Sequence, residues 1–389
     1  MSNQLNRRNF LKLSATAGTV LALSPICVQA NINDISKKKI PERILGKRTG
    51  IKTPILSMGV MLADNPSVVR AAYNSGIIHF DTAHVYQNGR NEEMLGEFFA
   101  DKPRDSFIMA TKVGERRSDN AASNFLEKFE TSMKRLKMPY VDILYYHGLG
   151  SVEDVNYTPV LDVMLKLKKD GRVKFIGLST HSNEPVAINA AVDNGNYDVI
   201  LTSYNYNQKH LADLNPAIDR AAKAGIGIVA MKTMAGGFLD RERTQKVNTS
   251  AALKWALQNP NIHTAIPGFS SFDMLDESLN AAKSLKLNRD EKKFLSAAVS
   301  STMYCQGCHI CENQCRKRLP IADIMRAYMY NYGYKCPAMA KELIDEVALT
   351  ADPCSDCVTC SVKCKSGFHV AQKIKDISRL CNVPQEFLV

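Results

Sequence analysis

The 389 residues are 45% hydrophobic and 23% charged, an ordinary globular composition in a chain long enough for two domains. The net charge of +11 comes from dispersed Lys and Arg with no aromatic-interleaved basic module, which argues against nucleic-acid binding. No run of about 18 or more apolar residues occurs, so no permanent membrane span is expected.

The N-terminus reads as an address. Residues 6–12 are Asn-Arg-Arg-Asn-Phe-Leu-Lys, followed by an apolar run from Leu13 to Leu23 and by Val28-Gln29-Ala30, a small-residue cleavage pattern. Arg7-Arg8 followed by Phe10-Leu11-Lys12 resemble a twin-arginine export signal. Residues 1–30 are therefore expected to be a signal peptide read by the twin-arginine export machinery, and the protein to be periplasmic or otherwise exported. That route carries folded proteins, which suits a chain that acquires its cofactors before export. Ile26 before Cys27 is too large for a lipidation site. Residues 31–42 read as a polar linker.

From residue 55 to about 300, short apolar runs alternate with longer amphipathic stretches. The runs are Ile55–Gly59, Ile77–Asp81, Phe107–Lys112, Val141–His147, Val173–Ser179, Val199–Ser203, Gly227–Lys232 and His263–Pro267. Helical patterns lie between them, as at Asn120–Lys137, Pro159–Lys169, Ala212–Ala224 and Thr249–Gln258. Strands alternating with helices imply a parallel sheet, and eight such units predict an α/β fold, a (β/α)8 TIM barrel over residues 43–300. An open doubly wound sheet is the alternative, but no G-x-G-x-x-G follows the first strand.

Barrel enzymes place catalytic groups at the C-terminal ends of strands. The second run ends in Asp81 and continues to Tyr86, the third ends in Lys112, and the fourth in His147. A carboxylate, a phenol, an ammonium and an imidazole are thus expected at one face. A nearby ammonium favours phenolate, so Lys112 is expected to lower the pKa of Tyr86. Asp81 would fix the lysine, and His147 would donate a hydrogen bond to a substrate carbonyl or relay a proton.

Asp81-Thr-Ala-x-x-Tyr86-x-x-Gly89-x-x-Glu92 resembles the signature of the aldo-keto reductase family. Lys112 in Ala-Thr-Lys-Val and His147 after an apolar strand complete its tetrad, and Gly177-Leu-Ser179 and Ile266-Pro-Gly268 resemble its cofactor loops. Met231-Lys232-Thr-Met-Ala-Gly236-Gly237 is similar to the branch with a C-terminal ferredoxin-like extension. The resemblance implies hydride transfer from NADP or NAD to a small carbonyl or quinone-like substrate, with Tyr86 as general acid. It also implies cofactor contacts from Ser179, Ser203, Asn205, Met231, Lys232, Gly268 and Glu277. The chain departs from the family pattern where Thr180 follows Ser179, where Leu201 takes the place of a glutamine, and where Met231 replaces a stacking aromatic. Ser203 and Asn205 are the expected substitutes for the missing polar contacts.

The last 89 residues, 301–389, carry two copies of C-x2-C-x2-C-x3-C: Cys305, Cys308, Cys311, Cys315 and Cys354, Cys357, Cys360, Cys364. This spacing holds cubane iron–sulfur clusters, and in two-cluster ferredoxins the fourth cysteine of each run serves the other cluster. A ferredoxin-like domain with two 4Fe-4S clusters is expected. Zinc and disulfides are the alternatives, but structural zinc takes four ligands in two pairs. Cys336 and Cys381 are left over as idle thiols. Arg316-Lys317-Arg318 offers a basic loop for a redox partner protein. The competing reading is an iron–sulfur electron-transfer protein, or a nicotinamide-binding redox sensor, with a non-catalytic barrel.

Overall fold

The computed structural model describes residues 39–240, 244–298 and 304–388. The twin-arginine pattern, the cleavage pattern and linker residues 31–38 lie outside the described residues. Glu42, at the end of the expected linker, already opens strand β1 (Glu42–Ile44), which pairs antiparallel with β2 (Lys52–Pro54). Between them Leu45 is fully buried and packs with the residues that fill the barrel interior, so the hairpin plugs the barrel.

Eight parallel strands follow: β3 (Met58–Gly59), β4 (His79–Asp81), β5 (Ile108–Val113), β6 (Val141–Tyr146), β7 (Val173–Thr180), β8 (Val199–Ser203), β9 (Gly227–Met231) and β10 (Thr264–Ala265). They neighbour one another in sequence order. Parallel bridges Leu56↔Ala265 and Gly59↔Gly268 join the first strand to the last, and the Ser57 N–H donates to the Ala265 carbonyl at 2.8 Å. The sheet is therefore a closed barrel, as the alternation of elements predicted.

Side chains along a strand alternate in direction. Ile108, Ala110, Ile143, Tyr145, Val199, Leu201 and Val229 point inward as one cluster, while Met109, Leu144, Ile176, Ile200 and Ile228 join the core under the helices. Burial on both sides explains why these strands are apolar runs rather than alternating patterns. The same period carries the inward rows on to Lys112, His147, Ser179, Ser203 and Met231 at the C-terminal mouth.

The covering helices are α1 (Pro66–Asn74), α2 (Arg90–Phe99), α3 (Ala121–Leu136), α4 (Thr158–Lys169), α5 (Glu184–Asn194), α6 (Leu211–Lys223), α7 (Thr249–Gln258) and α8 (Phe272–Lys283). α3 shows why they form: Ala121, Phe125, Phe129, Met133 and Leu136 recur at helical spacing and are the buried stripe, and Lys137 ends the helix in the left-handed region. α9 (Arg289–Ala298) packs against α7, where Ser250 and Lys254 each bind Glu291 at 2.7 Å, and Phe294 meets the Tyr206 ring at 5.6 Å. No helix of the described residues is long and apolar enough to cross a membrane.

Residues 304–388 build a second core on α10 (Ile321–Tyr328), α11 (Pro337–Glu346) and α12 (Val370–Ser378), from Tyr304, Ile324, Met325, Tyr328, Ile344 and Ile377. A π-type turn, Met329–Gly333, extends α10. This region docks on the barrel through backbone contact. Gly307 has φ +72, and a Cβ there would stand 2.6 Å from the His181 carbonyl oxygen, so only glycine lets the chain approach so closely. The Asn183 N–H donates to the Gly307 carbonyl at 3.0 Å, and Asn205 Nδ2 donates to Gln306 Oε1 at 3.0 Å.

Candidate active site

Asp81 ends β4, Lys112 lies one residue before the end of β5, and His147 follows β6 directly. Tyr86 opens a 3-10 turn, Tyr86–Gly89, between β4 and α2. The four meet. Lys112 Nζ binds the Asp81 carboxylate, donates to the Thr82 carbonyl at 2.7 Å, and lies 3.2 Å from Tyr86 Oη. The Tyr86 and His147 rings stand edge to face at 6.2 Å.

The rest of the motif holds this turn in place. Thr82 donates to Asn91 Oδ1 at 2.6 Å, and Asn91 donates to the Val60 carbonyl at 2.7 Å. Glu92, fully buried, accepts from Thr111 at 2.7 Å and lies 3.3 Å from Arg135. Arg135 Nη1 also donates to the His84 carbonyl at 2.9 Å. At Gly89 a Cβ would stand 2.2 Å from the Arg135 guanidinium carbon, so the glycine makes room for the arginine that ties α3 to the turn.

Lys112 and Asp81 are 1% and 2% exposed. Burial pushes the Asp81 carboxyl up and the Lys112 ammonium down, each against the pull of its partner. Tyr86 differs from expectation. Its pKa is raised, by burial first and then by Asp81, instead of being lowered by Lys112. The main reason is burial, which disfavours the charged phenolate; the Asp81 carboxylate adds to it and also offsets the charge of Lys112. Tyr86 is therefore a protonated donor at neutral pH. The His147 pKa is held well below its ordinary value by burial, then by Lys112, Arg326 and Lys232, so this ring is a neutral imidazole.

The residues expected to hold a nicotinamide divide into two groups. The Ser179 hydroxyl accepts the Gly148 N–H at 3.0 Å and keeps its own proton to donate. Met231 and Lys232 stand at the end of β9, both half-buried. Gly268 bridges to Gly59, and a Cβ on it would meet only the Gly59 carbonyl at 3.5 Å, so backbone is open to a ligand there. Glu277 is exposed on α8. Ser203 and Asn205, the expected substitutes, have their polar atoms bound to other groups of the protein. Ser203 donates to Glu184 Oε1 at 2.5 Å and accepts from Gln208 at 3.0 Å, while Asn205 bonds Gln306 and accepts the Asn207 N–H at 3.0 Å. Leu201 is fully buried in the inner cluster and offers no polar atom. A nicotinamide thus fits at Ser179 and Gly268, with fewer polar contacts than the family pattern implies.

Sequence reasoning missed the C-terminal domain's share of the mouth. Arg326 Nη1 bonds His181 Nδ1 at 2.8 Å. Tyr330, on the π-type turn, lies within electrostatic reach of Arg326, Tyr86 and Lys112. Lys232 Nζ is 5.6 Å from the centre of the Tyr330 ring. No local signal marks Arg326 or Tyr330, since only docking brings α10 to the barrel.

The eight clustered cysteines form two quartets. Cys305, Cys308 and Cys311 line one cavity together with Cys364, and Cys354, Cys357 and Cys360 line another together with Cys315. Each run therefore lends its fourth cysteine to the other. All ten cysteines among the described residues, Cys336 and Cys381 included, are free thiols. Among the described residues no three His, Cys, Asp or Glu side chains close round a single metal ion. Sulfurs at the corners of a cubane are expected to stand wider apart than the ligands of one zinc, whose Zn–S bonds are about 2.3 Å. Lys209, from the barrel, borders the first quartet, and Arg316 and Lys317 border the second.

Comparison with known proteins agrees with this geometry. Residues 61–251 match the model of the Aldo/keto reductase family. The chain is 28% identical over 295 residues to L-galactose dehydrogenase of Arabidopsis thaliana, covering 64% of this chain and 90% of the dehydrogenase. It is 23% identical to L-glyceraldehyde 3-phosphate reductase of Escherichia coli O157:H7, over 64% of this chain and 89% of the reductase. The fold matches the holo form of an aldo-keto reductase from Bacillus halodurans with a TM-score of 0.56 at 23% identity, covering 67% of this chain and 96% of that one. The barrel is similar to aldo/keto reductases over residues 61–251 and its relatives are dehydrogenases and reductases, so the chain is an aldo-keto reductase-like oxidoreductase.

Proposed function

We propose that the protein reversibly reduces a small carbonyl compound at the barrel mouth, with Tyr86 as the proton donor. The observation that carries this reading is the contact of Tyr86 Oη with Lys112 Nζ at 3.2 Å, beside a neutral His147. When bound, the nicotinamide supplies the hydride that the carbonyl carbon receives. Tyr86 gives its hydroxyl proton to the carbonyl oxygen, completing the alcohol. The phenolate left behind is stabilised by the Lys112 ammonium, and Asp81 holds that ammonium in place. His147 donates a hydrogen bond that orients the carbonyl and polarises it. Ser179 and Gly268 hold the nicotinamide of NADP or NAD.

The two cysteine quartets are read as sites for two 4Fe-4S clusters, supported by the shared spacing and by the exchange of Cys315 and Cys364 between the runs. The clusters would supply one-electron chemistry, with the first quartet beside the barrel and the second beside the basic Arg316-Lys317 loop. Export by the twin-arginine route, and a redox partner protein meeting that loop, complete the proposal. The second reading, an electron-transfer or sensor protein with a silent barrel, is favoured by one observation, the apolar Leu201 where a carboxamide needs a partner.

The test is a panel of aldehydes, ketones and quinones assayed with NADPH and NADH on purified protein whose iron and labile sulfide have been measured. Turnover that Tyr86→Phe abolishes supports the carbonyl reaction. Cofactor binding without turnover on any member supports the sensor instead.

A further inference from the structure

We propose that the catalytic mouth takes a substrate bearing an anionic group, a carboxylate or a phosphate ester, and that Arg326 of the C-terminal domain and Lys232 of the barrel hold it. This inference rests on the reading of Tyr86 as proton donor and names the class of carbonyl compound that it serves.

Arg326 projects from α10 with its side chain only 15% exposed. Its Nη1 makes both of its bonds, to Asp323 Oδ1 at 3.0 Å and to His181 Nδ1 at 2.8 Å. A guanidinium only donates, so His181 accepts at Nδ1 and, as a neutral ring, carries its proton on Nε2. Among the described residues Nε and Nη2 of Arg326 have no partner, which leaves one edge of the fork open. Lys232 stands at the end of β9 in the left-handed region, with φ +55. Its Nζ faces Tyr330 and forms no hydrogen bond or ion pair among the described residues.

The two cations sit close enough to disturb each other. Burial and then Arg326 push the Lys232 ammonium down to about 7. Both also act on His147 and His181. The acids within reach are already engaged: Asp323 by Arg326 itself, Glu184 by Ser203 and His210, and Asp81 by Lys112. Two like charges shielded from water repel, and an anion placed between them turns that repulsion into attraction. The open edge of a guanidinium matches the paired oxygens of a carboxylate or a phosphate. Tyr330 lies within reach of both Arg326 and Tyr86, so the anion site and the proton donor flank one ring. A substrate held by its charged end would present its carbonyl to Tyr86.

The experiment uses the full chain and two matched pairs of probes: 2-oxobutyrate against 2-butanone, and glyceraldehyde 3-phosphate against glyceraldehyde. Binding is followed by calorimetry, and turnover separately, on wild type, Arg326→Gln, Arg326→Lys and Lys232→Gln. Cys305 also lies within electrostatic reach of Lys232, so iron content is measured in each variant. The anionic member of at least one pair should bind more tightly than its neutral partner, and which pair does so separates carboxylate from phosphate. Arg326→Gln and Lys232→Gln should each weaken that anion about 10- to 100-fold, a loss well beyond any change in the neutral member, with partial return in Arg326→Lys. Lys232→Gln carries the test if Arg326→Gln fails to fold. Equal binding of charged and neutral members, or a loss shared by both, overturns the inference. Neutral carbonyls reduced in a Tyr86-dependent way without preference for anions would sink the anion site and leave the carbonyl chemistry standing. Anion binding that depends on Arg326 without any turnover would do the reverse.

Discussion

Lys112→Met removes the cation at the centre of the site, and the structure fixes what should follow. Asp81 is 2% exposed, its Oδ1 is bound to Lys112, and its Oδ2 has no partner. The variant therefore strands a carboxyl in the barrel with neither oxygen satisfied. Breaking a buried pair from one side costs about 3–5 kcal/mol. That cost should depend on pH. Burial already raises the Asp81 pKa above its ordinary 3.8, and Lys112 is the charge that opposes the rise. Without Lys112 the carboxyl binds its proton more tightly in the folded state than in the unfolded one. Stability contributed by a raised pKa is lost as pH rises, so the variant should be weaker at pH 8 than at pH 5. Adding Asp81→Asn removes the stranded charge and should restore most of the loss and flatten the pH dependence. The assay is urea unfolding followed by the fluorescence of Trp255, the single tryptophan, which lies on α7 and stacks on Tyr204 at 4.9 Å. A loss below about 1 kcal/mol at pH 8, or no rescue by Asp81→Asn, would refute the buried-pair account.

Tyr86→Phe keeps the ring and removes the transferable proton. Turnover should fall by about 10²- to 10⁴-fold with cofactor affinity unchanged, read as kcat and as a separate binding titration. Gly307→Ala places a methyl group 2.6 Å from the His181 carbonyl oxygen in a backbone with φ +72, and should cost about 1–3 kcal/mol in docking of the C-terminal domain. Amide exchange should then quicken in residues 304–388 while the barrel strands stay protected. The protein should carry about eight irons per chain, and Cys364→Ser should alter the same spectral component as Cys305→Ser, not that of Cys354→Ser. Damage to the Cys354 component instead would show that each run keeps its own fourth ligand.

The barrel and its tetrad were legible because both are written in short range. Apolar runs fully buried between helices announce parallel strands, and the period of two carries Lys112 and His147 to the inner edge as soon as the strands are drawn. The signature from Asp81 to Glu92 is a local turn whose parts bind one another, Thr82 to Asn91 and Gly89 beside Arg135, so its spacing survives in the sequence. The cysteine runs are equally local. The direction of the Tyr86 pKa shift was not, because it depends first on how little water reaches the phenol and then on the Asp81 carboxylate beside it. Nor was the commitment of Ser203 to Glu184 and of Asn205 to Gln306, since a polar residue at a strand end looks the same in sequence whether its partner is a cofactor or the protein itself.

What the sequence determined alone is the set of elements and the chemistry each can carry: a parallel barrel, four groups suited to proton transfer, and two runs of thiols. What only the tertiary structure decided is who meets whom. Gly307 lets the C-terminal chain touch the barrel backbone, α10 then carries Arg326 to His181, and Tyr330 reaches the mouth above Lys232. The two runs exchange their last cysteines by the same docking of distant segments. Spacing along a chain fixes contacts within a few residues, whereas contacts across more than a hundred depend on how whole surfaces pack, and no local pattern encodes them.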